Sequence, residues 1–251
     1  MKKITQIGRL ASFILVLVIH SISLSSLDLM PNFLINLHSD ANPLSPSIHF
    51  QNFWFLIFLG VAYHLFLVFR DDQADSNDPR NLLAPLELEW MTCHILMVIT
   101  AAYRLNLVNF IVTVIYANKL FKLMKLVSGS QRLRASNPFN KVIVGLHSSL
   151  TICLIAVTFG NYLFNQYGQL SDYLVLAVIG GSLVFLFITY SYCYMMYGNQ
   201  WQMPVFIIYL SSLMRENTAN KYLWYLLLII ASFSTIIYLY LFYRQNQQKN
   251  S

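Results

Sequence analysis

Four of the chain's six histidines, His20, His64, His94 and His147, fall inside long apolar runs. An ionisable side chain is expensive to keep in such surroundings, so this is where chemistry is sought first. Counted along their runs, His64, His94 and His147 fall at similar depth from one side, with His20 near the middle of the first run. Imidazoles in one layer could hold a metal or a tetrapyrrole, or each could hydrogen-bond a neighbouring helix and set the polarity of a pocket. No H-E-x-x-H or H-x-x-x-H occurs, and no run pairs two histidines at a spacing that would stack two haems. The expectation is a pocket role and no metal. Glu87 and Glu89 open another run, where the helix dipole favours acids. At i and i+2 they point to different faces, a poor acid/base pair. No phosphate-cradling glycine loop and no G-x-S-x-G elbow is present, so catalysis is not expected. Cys93, Cys153 and Cys193 lack C-x-x-C spacing and read as core residues.

The elements that must position these residues follow from composition. The chain has 251 residues, 57% hydrophobic and 10% charged, where soluble domains carry about 25% charged residues. A soluble fold and a disordered chain are both excluded, and the bilayer is the solvent. At about 20 residues per span, eight segments can be drawn: 10–29, 50–69, 86–103, 107–126, 142–164, 173–194, 201–214 and 222–243. The fold expected is all-α, a polytopic transmembrane helical bundle. A β-barrel would need ten-residue alternations instead. Lys2, Lys3 and Arg9 resemble a signal-peptide start, but no A-x-A site follows and the first helix is expected to be retained. The seventh segment is short, and Tyr194, Met195 and Met196 could lengthen it backwards. Gly180-Gly181 in the sixth allows close helix approach. Residues 70–85 form an acidic cytoplasmic loop, with Asp71, Asp72, Asp75 and Asp78, and 244–251 a polar cytoplasmic tail.

With the N-terminus in the cytoplasm, thirteen of the sixteen Lys and Arg fall on that side, leaving Arg104, Arg215 and Lys221 outside. That bias predicts both termini inside and an even number of spans. The basic stretch from Lys119 to Lys141 reads as an anchor for anionic lipid head groups, with nucleic acid excluded as a partner. Trp54, Trp90, Trp201, Tyr222, Trp224, Tyr240 and Tyr243 lie near span ends and read as an interfacial belt, the other reading being that Trp54 or Trp90 faces a ligand.

Several segments also follow a recurring order. Pro46 precedes Trp54 by eight residues, followed by Ile57 and Phe58. Pro138-Phe139, Gly145 and Thr151 open the fifth segment, and Tyr197-Gly198-Asn199-Gln200-Trp201 leads through to Tyr209. From about Pro43 to Tyr243 this resembles the long, bacterial type of tryptophan-rich sensory protein, the TspO (translocator protein)-like family. The chain departs from that pattern at Leu146, Leu154 and Tyr209, where the family tends to have Trp, Asn and Trp. The resemblance implies a bundle pocket for a hydrophobic, tetrapyrrole or sterol-like ligand, a porphyrin or haem-type group included, with a sensory or regulatory role in a bacterial inner membrane. Candidate ligand-binding residues are Trp54, His64, Trp90, His94, His147 and Tyr209. The aromatics would stack and the histidines hydrogen-bond, with Trp90 and His94 leading because i and i+4 share a helix face. The partners expected are the lipid bilayer, a hydrophobic small molecule and a further copy of the chain. Two other readings stay open: a small-solute transporter, and an assembly subunit packing through Gly180-Gly181.

Overall fold

A computed structural model of the chain describes residues 2–25, 29–37, 42–47, 50, 52–70, 82–131, 133, 140–167 and 171–250. The acidic stretch 71–80, Arg132, Arg134 and Pro138-Phe139 lie outside the described residues. Helices run over Lys2–Leu24 (α1), Phe33–Leu37 (α2), Phe53–Arg70 (α3), Ala84–Ala102 (α4), Asn106–Gly129 (α5), Asn140–Tyr167 (α6), Asp172–Tyr197 (α7), Gln202–Glu216 (α8) and Lys221–Asn250 (α9), with no strand among the described residues. Eight of these match the eight apolar segments; α2 is an addition. Six of them, α1, α3, α5, α6, α7 and α9, are long and apolar enough to cross a membrane, the architecture of an integral membrane protein. Two glutamates lower the hydropathy of α4, and α8 has only 15 residues, about 22 Å of helix.

Side-chain pairs fix the helix directions. Arg9 meets Glu87 and His20 meets His94, so α1 and α4 run the same way. Arg9 meets His64 and His20 meets Trp54, so α3 runs opposite. Asn109 bonds the Met97 carbonyl while Lys119 pairs with Glu89, which turns α5 against α4. Ser148 with Met124, and Phe159 with Phe110, turn α6 against α5. Phe187 with Phe233 and Tyr194 with Tyr238 align α7 with α9.

Helix α6 forms the axis of the bundle. Its buried face is built from Gly145, Ser148, Ser149, Thr151, Cys153, Ala156, Thr158 and Gly160, small residues that let neighbouring helices approach. Ser149, Thr151 and Thr158 donate back to the carbonyls of Gly145, His147 and Leu154, so their hydroxyls cost little in hydrocarbon. A Cβ at Gly145 would overlap the Asn199 amide, and one at Gly160 the Asn42 side chain.

Residues 42–47 are non-helical yet largely buried, which is tolerated at membrane depth only where protein satisfies the backbone. Tyr209 Oη donates to the Leu44 carbonyl at 2.7 Å, the Ser47 amide donates to Ser212 Oγ at 2.6 Å, and Asn42 Nδ2 donates to the Val157 carbonyl and to Asn161 Oδ1, both at 2.8 Å. Asn161 in turn donates to the Leu37 carbonyl.

Three expectations are corrected. The first helix occupies Lys2–Leu24 rather than 10–29, because the basic start continues the helical turn. The polar residues of the tail prolong the eighth segment's helix, α9, through Asn250. Tyr194, Met195 and Met196 stay in α7, which ends where Gly198 takes φ 56°, a left-handed cap suited to glycine. Trp54 and Trp90 leave the interfacial belt for the core, each 2% exposed, whereas Trp201, Tyr222, Tyr240 and Tyr243 are exposed. No described atom outside its own helix comes within 4 Å of a Cβ built at Gly180 or Gly181, so neither glycine is a point of close helix approach among the described residues.

Candidate functional site

Arg9 lies on the inward face of α1 and is 0% exposed. Its partner is Glu87, in the first turn of α4: Arg9 Nε donates to Glu87 Oε2 at 2.6 Å, and Nη2 pairs with the same oxygen. A charge at this depth persists only when paired and hydrogen-bonded. His64 of α3 completes the group, its Nε2 lying 3.0 Å from Glu87 Oε1 and 3.2 Å from Arg9 Nη2. One ring nitrogen thus faces two groups that ask opposite things of it, since a carboxylate accepts a proton and a guanidinium can only donate one.

A second polar group runs through the core beside it. His20 Nδ1 and His94 Nε2 share a hydrogen bond of 3.3 Å, His94 Nδ1 and Tyr116 Oη one of 3.2 Å, and Tyr116 Oη and His147 Nε2 a third. The four side chains come from α1, α4, α5 and α6, all buried. Aromatic rings pack the chain on its flanks. Trp54 meets His94 edge-on at 4.6 Å between centroids, Trp90 meets His147 at 4.7 Å, and Phe58 meets His20 at 5.0 Å.

Three cavities bear on this arrangement. A small one of about 30 Å³ is lined by His64, Glu87, Trp90, Asn140 and His147 among others, and so lies between the ion group and the end of the histidine chain. It has room for a water molecule and none for an organic ligand. A larger one of about 510 Å³ opens between α1 and α3, walled by Phe13, Leu17, His20, Trp54 and Phe58, and lies in the size range of small-molecule sites. A third of about 590 Å³ lies between α5, α6 and α7 around Gly181, with no ionisable side chain in its lining among the described residues.

Of the six residues singled out in the sequence, the structure brings Trp54, Trp90, His94 and His147 together. His64 stands in the adjoining ion group rather than in one layer with the other two histidines. Tyr209 lies apart, holding Leu44. Only Trp54 of the six lines the 510 Å³ cavity. Arg9, Glu87 and Tyr116 were missed as site residues, and His20 was placed by depth alone. The opposite charges of Arg9 and Glu87 inside two helices were a usable signal. Tyr116 had none, as one of 16 tyrosines in an apolar chain. Among the described residues no group of three or more His, Cys, Asp or Glu is arranged to hold a metal ion. Comparisons with protein-family models, curated proteins and solved structures found no match.

Proposed function

We propose that this integral membrane protein is a non-catalytic binder of a hydrophobic small molecule, as the resemblance to TspO-like sensory proteins implies, with eight spans and both termini in the cytoplasm. The carrying observation is the cavity of about 510 Å³ between α1 and α3. Its wall is mostly apolar and aromatic, and among the described residues His20 is the one ionisable side chain in its lining. A flat, apolar ligand with a polar edge would stack on Trp54 and Phe58 and exchange one hydrogen bond with His20. Trp90, His94 and His147 then serve as the wall behind the site, holding Trp54 and His20 in place.

The test is a fluorescence titration of the detergent-solubilised protein with protoporphyrin and, separately, with a sterol analogue. Saturable quenching by either is expected, weakened on the order of tenfold in Trp54→Ala, the effect of about 1.4 kcal/mol of lost stacking. Linear, non-saturating quenching with both probes would reject the reading.

A further inference from the structure

The histidine chain has a property that ligand binding does not require: every link in it can carry a proton in either sense. A neutral imidazole holds one N–H and one bare nitrogen, and a phenol both donates and accepts. His147, Tyr116, His94 and His20 therefore admit two complete hydrogen-bonded arrangements. In one, His147 Nε2 donates to Tyr116 Oη, Tyr116 donates to His94 Nδ1, and His94 Nε2 donates to His20 Nδ1. In the other, each bond is reversed. The three contacts join ring atoms on the correct sides of each imidazole for this to work, both nitrogens of His94 being engaged.

The two ends of the chain are equally specific. His147 lines the 30 Å³ cavity that also touches His64 and Glu87. The other end, His20, lines the 510 Å³ cavity. Between Arg9 and His20 the helix α1 rises about 16 Å, roughly half of a hydrocarbon core of about 30 Å. The polar line thus runs along the bundle, from a group of ionisable side chains at one depth to an open cavity at another.

We propose that the bundle relays protons along this line. A proton held between Glu87 and His64 crosses the small cavity, through a water there, to His147 Nδ1. His147 Nε2 then passes its own proton to Tyr116 Oη, Tyr116 passes its hydroxyl proton to His94 Nδ1, and His94 Nε2 passes its proton to His20 Nδ1. His20 Nε2 releases one to the cavity. One proton enters from Glu87 or His64 and one leaves to water in the larger cavity; along the four side chains four N–H or O–H bonds break as four form, and no oxidant or second substrate takes part. Ring and hydroxyl reorientation restores the starting arrangement. The Arg9 guanidinium faces the entry from α1, Glu87 from α4 and His64 from α3, and these set the charge there. The relay needs no ligand in the larger cavity; one bonded to His20 Nε2 would occupy its exit.

The experiment is proton flux in liposomes containing the full chain and a trapped pH indicator dye, with valinomycin and potassium holding the membrane potential at zero. After a pH jump, the wild type equilibrates faster than protein-free vesicles, and Tyr116→Phe, which keeps the ring but breaks the line, falls back to the protein-free rate. Tyr225→Phe, on the exposed face of α9, keeps the wild-type rate. His147→Gln, whose amide bonds the tyrosine but cannot pass a proton through a ring, also falls back, and it decides the matter if Tyr116→Phe does not fold. A wild type no faster than empty vesicles overturns the proposal. So does wild-type flux in a folded Tyr116→Phe or His147→Gln variant.

Discussion

The membrane-spanning parts of α6 and α9 have the same mean hydropathy, yet 78% of an 18-residue apolar stretch of α6 is buried inside the bundle and 11% of the matching stretch of α9. Apolarity did not sort them, because lipid tails are as apolar as a protein core and neither location is favoured by it. What sorts them is side-chain size and hydrogen bonding. Helix α6 offers Gly, Ala, Ser, Thr and Asn to its neighbours; its Ser149, Thr151 and Thr158 hydroxyls bond its own backbone, while His147, Ser148 and Asn161 find partners across the interface. Helix α9 is built from Leu, Ile, Tyr and Phe, and beyond Leu223 and Leu227 it presents most of them outward. In hydrocarbon the inside is marked by what is small and polar.

The largest expected break in that contrast is electrostatic. Arg9→Leu or Glu87→Leu alone strands a charge among buried groups and costs about 3–5 kcal/mol, whereas the double substitution costs much less than either single one. Denaturant unfolding in detergent checks this, and additive losses would show that the two side chains do not depend on each other. A smaller effect is steric. Gly145→Ala drives a methyl into Asn199 and costs about 1–3 kcal/mol, while Gly180→Ala on the open face of α7 stays within about 0.5 kcal/mol. Equal losses in thermal unfolding would erase the distinction between the two faces. The smallest is a single hydrogen bond. Tyr190 Oη donates to the Ser149 carbonyl of α6 at 2.5 Å, so Tyr190→Phe loses about 1 kcal/mol. Tyr240→Phe on α9 loses nothing measurable, and the same unfolding assay reads both.

How far the sequence revealed this molecule follows the same division. The helices were legible as runs of apolar residues, since spanning a bilayer demands length and little else, and α3 to α9 begin within three residues of where they were drawn. Which way each helix faces was not. Trp54 and Trp90 sit near the ends of their runs and so read as interfacial residues, but Trp54 packs on His20, Phe58 and His94 and Trp90 on Tyr116 and His147, inside the bundle. The four histidines announced a polar core by their cost alone. Their connection through Tyr116 depends on the register between α4, α5 and α6, which no spacing within one helix encodes. Helix α2 was invisible for the opposite reason: five residues, Phe33–Leu37, are too few to show a period.

The pairing of Arg9 with Glu87 also bears on how the protein is made. The two residues are 78 positions apart, so the ribosome delivers the guanidinium to the bilayer long before its carboxylate exists. Until then the arginine reaches back toward water at the membrane edge, and the first helix is a lodger rather than a settled part of the structure. It gains its carboxylate partner only when α4 arrives.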